Sequence, residues 1–150
     1  MNILFLSLLS AVVASVTDCG GSSALFKITD LSQDPLSTVG VGQNVSLTLK
    51  YSVSEEVSAG RVVKSVTYNY IPFDPTEEDL CTNAECPLMP GDHDGSTWYE
   101  WPSGLSGLID SKVEWYDTKN TLLLCIDSTL TATGMKMNHS GQVVKYLRQS

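Results

Sequence analysis

Apolar and polar residues alternate most clearly from Val45 to Ser54. Val45, Leu47, Leu49, Tyr51 and Val53 take the odd positions, and Ser46, Thr48, Lys50, Ser52 and Ser54 the even ones. Successive strand side chains point to opposite faces, so a period of two predicts a strand with one buried and one wet face. A second β-branched and aromatic run spans Arg61 to Ile71 and is stopped by Pro72 and Pro75. Lys112 to Tyr116 and Thr121 to about Thr131 predict two more strands around the hairpin loop Asp117-Thr118-Lys119-Asn120. A shorter strand is expected over Ala24 to Ile28, and a long, acidic, turn-rich connection runs on from Pro72 to Gly95. Nothing from Cys19 to Thr133 has helical spacing, which predicts an all-β antiparallel sandwich. Gly134 opens a polar tail with room for a short helix around Val143 to Leu147.

The first residues break this pattern. Ile3 to Ala14 is uncharged and almost wholly apolar, too short to span a bilayer but suited to the core of a signal peptide. Small residues follow, so cleavage is expected between Ala14 and Asp18. That divides the chain into a leader over 1–17, one domain over 18–133 and a tail over 134–150. A buried N-terminal strand or an anchor lying in the membrane is the alternative. Asn44-Val45-Ser46 and Asn138-His139-Ser140 are glycosylation sequons that agree with export.

Four cysteines, Cys19, Cys81, Cys86 and Cys125, allow three pairings. Cys81 and Cys86 bracket a short polar loop, which favours Cys81–Cys86 and leaves Cys19 to reach Cys125. In the chain-entropy model the short loop contributes about 2 kcal/mol and the long one about 5. The spacing lacks a Cys-x-x-Cys pair, so no metal site is expected.

Charge narrows the function further. Seventeen acids against nine bases give a formal net charge of -8. Phosphates would repel such a surface, which argues against nucleic acid as a partner. His93 lies in Gly91-Asp92-His93-Asp94-Gly95, which reads as an exposed acidic turn, and His139 lies within a sequon. No nucleophile elbow, phosphate loop or His-Glu-x-x-His motif occurs, so neither catalysis nor a cofactor is expected.

Several segments together carry a resemblance: Asp18-Cys19-Gly20, Ile71-Pro72-Phe73 leading to Cys81, Cys86-Pro87-Leu88 followed by Gly91, Val113-Glu114-Trp115, and Cys125 in the next strand. In this order and spacing they resemble the ML-domain lipid-recognition family, nearest to its Niemann-Pick type C soluble sterol-transfer and mite group 2 allergen branches. The resemblance runs to about Ala132. It implies an immunoglobulin-like sandwich of two sheets that part to admit the apolar body of a lipid, with sterol as the preferred cargo and phospholipid, glycolipid or fatty acid as alternatives. It also implies that Phe73 gates the pocket and that Val113 and Trp115 face it. A third, early bridge of the family is missing, since Asp34-Pro35-Leu36 stands where a cysteine is expected. Pro102 to Ile109 also departs from the sterol-transfer pattern at the pocket mouth.

The residues themselves add candidates for a mouth built from two loops: Tyr68, Tyr70, Phe73, Trp98, Trp101, Pro102, Leu105, Leu108 and Ile109. The chain is therefore expected to be a monomeric carrier, secreted or endolysosomal, that meets a membrane or receptor transiently. Acidification should lessen repulsion between its Asp74–Asp94 carboxylates and anionic bilayers. A co-receptor presenting a bacterial lipid or glycolipid, an adhesive immunoglobulin-like module with a filled interior, and a lipid hydrolase are the rivals.

Overall fold

The computed structural model describes residues 15–100 and 104–134. Its strands are β1 (Ser15–Asp18), β2 (Lys27–Asp34), β3 (Thr38–Val39), β4 (Asn44–Val53), β5 (Gly60–Tyr68), β6 (Ile71–Pro72), β7 (Thr76–Asp79), β8 (Gly91–Glu100), β9 (Ser106–Asp117) and β10 (Leu122–Thr133). A single helical turn, α1 (Leu80–Asn83), lies between β7 and β8. The larger sheet runs β1-β10-β9-β5-β6, with β3 on β10 and β7 on β5; the smaller runs β2-β4-β8. Every pairing is antiparallel except that of the two-residue β3. The all-β sandwich read from the sequence is thus the fold.

β4 occupies the centre of the smaller sheet because its odd positions are apolar: Val45, Leu49, Tyr51 and Val53 are buried. β10 breaks the alternation, with Leu123, Leu124, Cys125 and Ile126 all buried. The N-terminal segment extends the ladder along the edge of β10 left free by β9. Cys19 N–H donates to Cys125 O at 3.0 Å, Leu25 to Leu122 O at 2.9 Å and Phe26 to Leu123 O at 2.8 Å. The bridge Cys19–Cys125 fixes that edge, and Cys81–Cys86 closes the short loop that contains α1, both as expected.

Several boundaries differ from the sequence reading. The strand expected over Ala24–Ile28 begins at Lys27 and continues to Asp34, after a 3-10 turn at Gly21–Ser23. The Arg61–Ile71 run is two strands, split at Asn69 (φ 47°) and Tyr70 (φ 67°). Two consecutive left-handed residues are what a tight hairpin turn needs, and asparagine tolerates that conformation better than most side chains. The turn docks on β9: Leu108 N–H donates to Asn69 Oδ1 at 2.8 Å, and Tyr68 Oη donates to Ser106 O at 2.6 Å. Gly107 (φ 126°) lies beneath, where a Cβ would strike the Asn69 side chain. The acidic connection also contains β7, α1 and the first half of β8, so Gly91–Gly95 is strand rather than turn.

The leader expected over 1–17 overlaps β1, whose Ser15, Val16 and Thr17 pair with Thr129, Ser128 and Asp127. Residues 1–14 and the tail beyond Gly134 lie outside the described residues.

Two apolar clusters fill the interior. One gathers Phe26, Leu49, Tyr51, Val62, Trp115 and Leu124; the other gathers Val39, Val45, Ile109, Leu130 and Ala132. Buried Gln33 of β2 reaches across the sandwich to accept from the Ser128 hydroxyl of β10.

Candidate functional site

The sandwich is closed along one side, where β1 lies against β2. On the other side β8 is the edge of its sheet, pairing with β4 alone. There the two sheets part around an open cavity of about 510 Å³. Its floor is apolar, formed by Leu47, Leu49 and Tyr51 of β4, Val113 and Trp115 of β9, and Ile126 of β10. Its rim is polar, formed by Lys64, Asn83, Glu85 and the β8 residues Asp92 to Thr97.

The cavity follows from what β8 lacks. Residues directly paired across a ladder share a face. The register sets Gly91 against Val53, His93 against Tyr51, Gly95 against Leu49 and Thr97 against Leu47. Most inward positions of β8 are therefore small. A Cβ built on Gly95 would meet no heavy atom within 4 Å. Opposite, the inward position of β5 is Lys64, paired with Val113. Its stem lines the cavity while its Nζ lies 2.8 Å from Glu78 Oε2 at the surface, the usual way a long cationic side chain divides between oil and water. Hydrogen bonds from Lys64 and Asn83 hold the Glu78 carboxyl below its ordinary value.

Aromatic rings set the depth. Tyr51 stacks between Phe26 (5.7 Å) and His93 (5.5 Å) and meets Trp115 edge-on (5.7 Å). Burial, and then the charge of Asp94, push the Tyr51 phenol above its ordinary value. His93 Nε2 lies 2.7 Å from Met89 O, which fixes the ring.

The cysteine loop makes a firm rim. Asp79 Oδ1 accepts from Cys81 N–H at 2.7 Å and caps α1. Val57 and Leu88 exchange backbone hydrogen bonds of 2.9 and 2.8 Å, and the Leu80 and Leu88 side chains are buried.

Of the candidates named from sequence, Val113 and Trp115 line this cavity. Ile109 and Tyr68 pack instead in the second cluster, and Leu108 is half-buried beside the Asn69 turn. Phe73 is 57% exposed and lies off the cavity, its N–H bonded to Val66 O at 2.9 Å on the margin of the larger sheet. Tyr70 is 77% exposed at the hairpin tip, and Leu105 is exposed. Trp98 is 69% exposed because its register partner is Ser46, which places it on the outer face of the smaller sheet. Trp101 and Pro102 lie outside the described residues, as does Asn138; Asn44 is exposed at the start of β4. Leu47, Leu49, Tyr51, Leu88, His93, Gly95 and Ile126 were not among the sequence candidates. The alternation of β4 marked its three as buried without linking them to a cavity, and His93 was read as part of a turn.

Comparison with known proteins accords with this geometry. A protein of Dictyostelium discoideum, provisionally named a phosphatidylglycerol/phosphatidylinositol transfer protein, is 28% identical over 115 residues, covering 74% of this chain and 81% of that protein. A Niemann-Pick type C2 protein from the Japanese carpenter ant superposes with a TM-score of 0.62 at 15% identity, covering 78% of this chain and 98% of that one. Chicken MD-1 complexed with lipid IVa gives 0.50 at 13% identity, covering 76% and 85%. Residues 13–132 match the ML domain, and the chain belongs to the ML-domain family.

Proposed function

We propose that this protein binds and transfers lipid, holding the apolar body of a sterol or similar single lipid in the cavity between its sheets, with the polar end at the rim. The observation that carries the reading is the missing side-chain volume at Gly95 above an apolar floor of Leu49, Val113 and Trp115. A closed adhesive sandwich would fill that space with its own residues. If about 400 Å² of lipid leaves water, the gross gain is about 10 kcal/mol, and ordering costs reduce it to micromolar or tighter binding. The work is desolvation and transfer, with no covalent step.

The setting is the secretory route, ending outside the cell or in the endolysosomal lumen, because two disulfides persist in oxidising compartments. Cleavage directly after Ala14, at the upstream end of the expected window, leaves β1 whole and paired to β10. Native mass spectrometry of protein purified from its secreting host, with organic extraction, should find one lipid per chain, and the protein should speed lipid exchange between vesicles. Lipid-free protein that exchanges nothing would overturn the proposal, and lipid consumed during the assay would point to a hydrolase.

A further inference from the structure

We infer, on the reading that the chain is exported, that Asn44 carries an N-linked glycan whose first sugar lies across the Trp98 ring and ties β8 to β4 from the outer side of the smaller sheet. Asn44-Val45-Ser46 is an acceptor sequon, and its asparagine opens β4 with an exposed side chain. Val45 between them is buried, so the strand turns Asn44 and Ser46 together to the outer face. The register pairs Asn44 with Glu100 and Ser46 with Trp98. Asn44 and Trp98 are therefore diagonal neighbours on one face, their Cβ atoms about 7–8 Å apart or less. One sugar ring rooted on the Asn44 amide spans such a gap.

Trp98 offers the matching surface. It is 69% exposed, and beside it in the register stand Ser46 and Thr48 of β4 and Ser96 of its own strand, all polar. The N-acetylglucosamine that roots an N-linked glycan presents ring C–H groups on one face, and their partial positive charge suits the negative face of an indole. Stacking also takes apolar indole surface out of water. The sugar's hydroxyls and acetamide stay at the margin of the ring, among polar neighbours. The contact matters most for β8. This strand is the edge of its sheet and turns Gly91, His93, Gly95 and Thr97 inward, so few large side chains of its own anchor it to the core. A sugar reaching over from β4 holds it on the opposite face and leaves the cavity between the sheets free, because neither Asn44 nor Trp98 lines that cavity.

The test uses the full-length chain secreted from a eukaryotic host, with Asn138→Gln so that one sequon remains. Peptide mapping by mass spectrometry should find Asn44 occupied. After endoglycosidase trimming to a single N-acetylglucosamine, that protein should melt about 2–4 °C above an Asn44→Gln companion, and the gap should fall below about 1 °C when both carry Trp98→Thr. Threonine keeps the strand preference at that site. NMR of the trimmed protein bearing Trp98 should show the sugar C–H protons moved upfield by the indole, and the backbone amides of β8 should exchange several-fold faster in Asn44→Gln. Secreted protein with a bare Asn44 would overturn the inference and leave export standing. An occupied Asn44 whose sugar protons keep their free-sugar positions, or equal melting gaps with and without Trp98, would overturn the contact with Trp98. Protein retained in the cytosol would overturn export and the glycan with it.

Discussion

Replacing Gly95 with phenylalanine should close the cavity without harming the fold. Gly95 sits mid-strand opposite Leu49, outside the glycines of positive φ, and a Cβ there meets nothing within 4 Å. The benzyl group would enter the cavity of about 510 Å³. If it displaces about a quarter of a ligand that buries about 400 Å², about 2–3 kcal/mol of gross burial is lost. Partial rearrangement of lipid and rim lowers the net loss to about tenfold in Kd. Strand preference moves the other way, because an aromatic residue suits a strand better than glycine by up to about 1 kcal/mol. Titration with a fluorescent single-chain alcohol, run beside a thermal melt, should show weak binding in a protein that melts at or above the wild-type temperature. Wild-type affinity in a folded Gly95→Phe protein would refute the reasoning.

Four further outcomes follow from the same structure. Replacing Cys19 and Cys125 together by alanine should cost on the order of 5 kcal/mol in urea unfolding, against about 2 for the Cys81 and Cys86 pair, because the loops differ in length. Asp79→Ala removes the cap of α1 and should cost about 1 kcal/mol, lowering Tm by about 3–5 °C. Ser128→Ala strands the buried Gln33 Oε1 and should cost about 1–3 kcal/mol, whereas the Gln33→Leu/Ser128→Ala pair should recover most of that loss in a double-mutant cycle. Thr121, and then Lys119, donate backbone hydrogen bonds that hold the Asp117 carboxyl below its ordinary value. Its contribution is therefore fully present above the unfolded value of about 3.9 and lost as pH falls through the lower folded value. The Tm gap between wild type and Asp117→Ala should be constant from pH 7 to 5 and narrow below about pH 4; a gap that widens on acidification contradicts the sign.

The strands that bury large side chains were legible in the sequence, and the strand that makes the cavity was not. Val45 to Val53 alternates because its inward face packs the core, and Lys112 to Thr131 is apolar enough to mark the β9–β10 hairpin. β8 offers Gly91, His93, Gly95 and Thr97 inward, so no hydrophobic alternation betrays it, and its glycines and acids read as a turn. The absence of side chains that opens the cavity is the same absence that hid the strand. The aromatic candidates were gathered by nearness in sequence, but a strand turns each residue to the opposite face from its neighbour. Trp98 therefore lies outside while Thr97 lines the cavity. Val113 and Trp115, two apart on one strand, share a face and line the cavity, whereas Phe73, named both by the resemblance and among the clustered aromatics, lies off it.

Trp115 on the cavity floor offers the most direct measurement. A Trp98→Phe/Trp101→Phe protein keeps it as the sole tryptophan. Titration with a lipid brominated near its chain terminus should quench Trp115 emission and saturate at one lipid per protein, while the unbrominated lipid leaves the intensity in place. Bound lipid that leaves Trp115 unquenched would mean that the chain lies elsewhere, and the space between the sheets would no longer be the binding site.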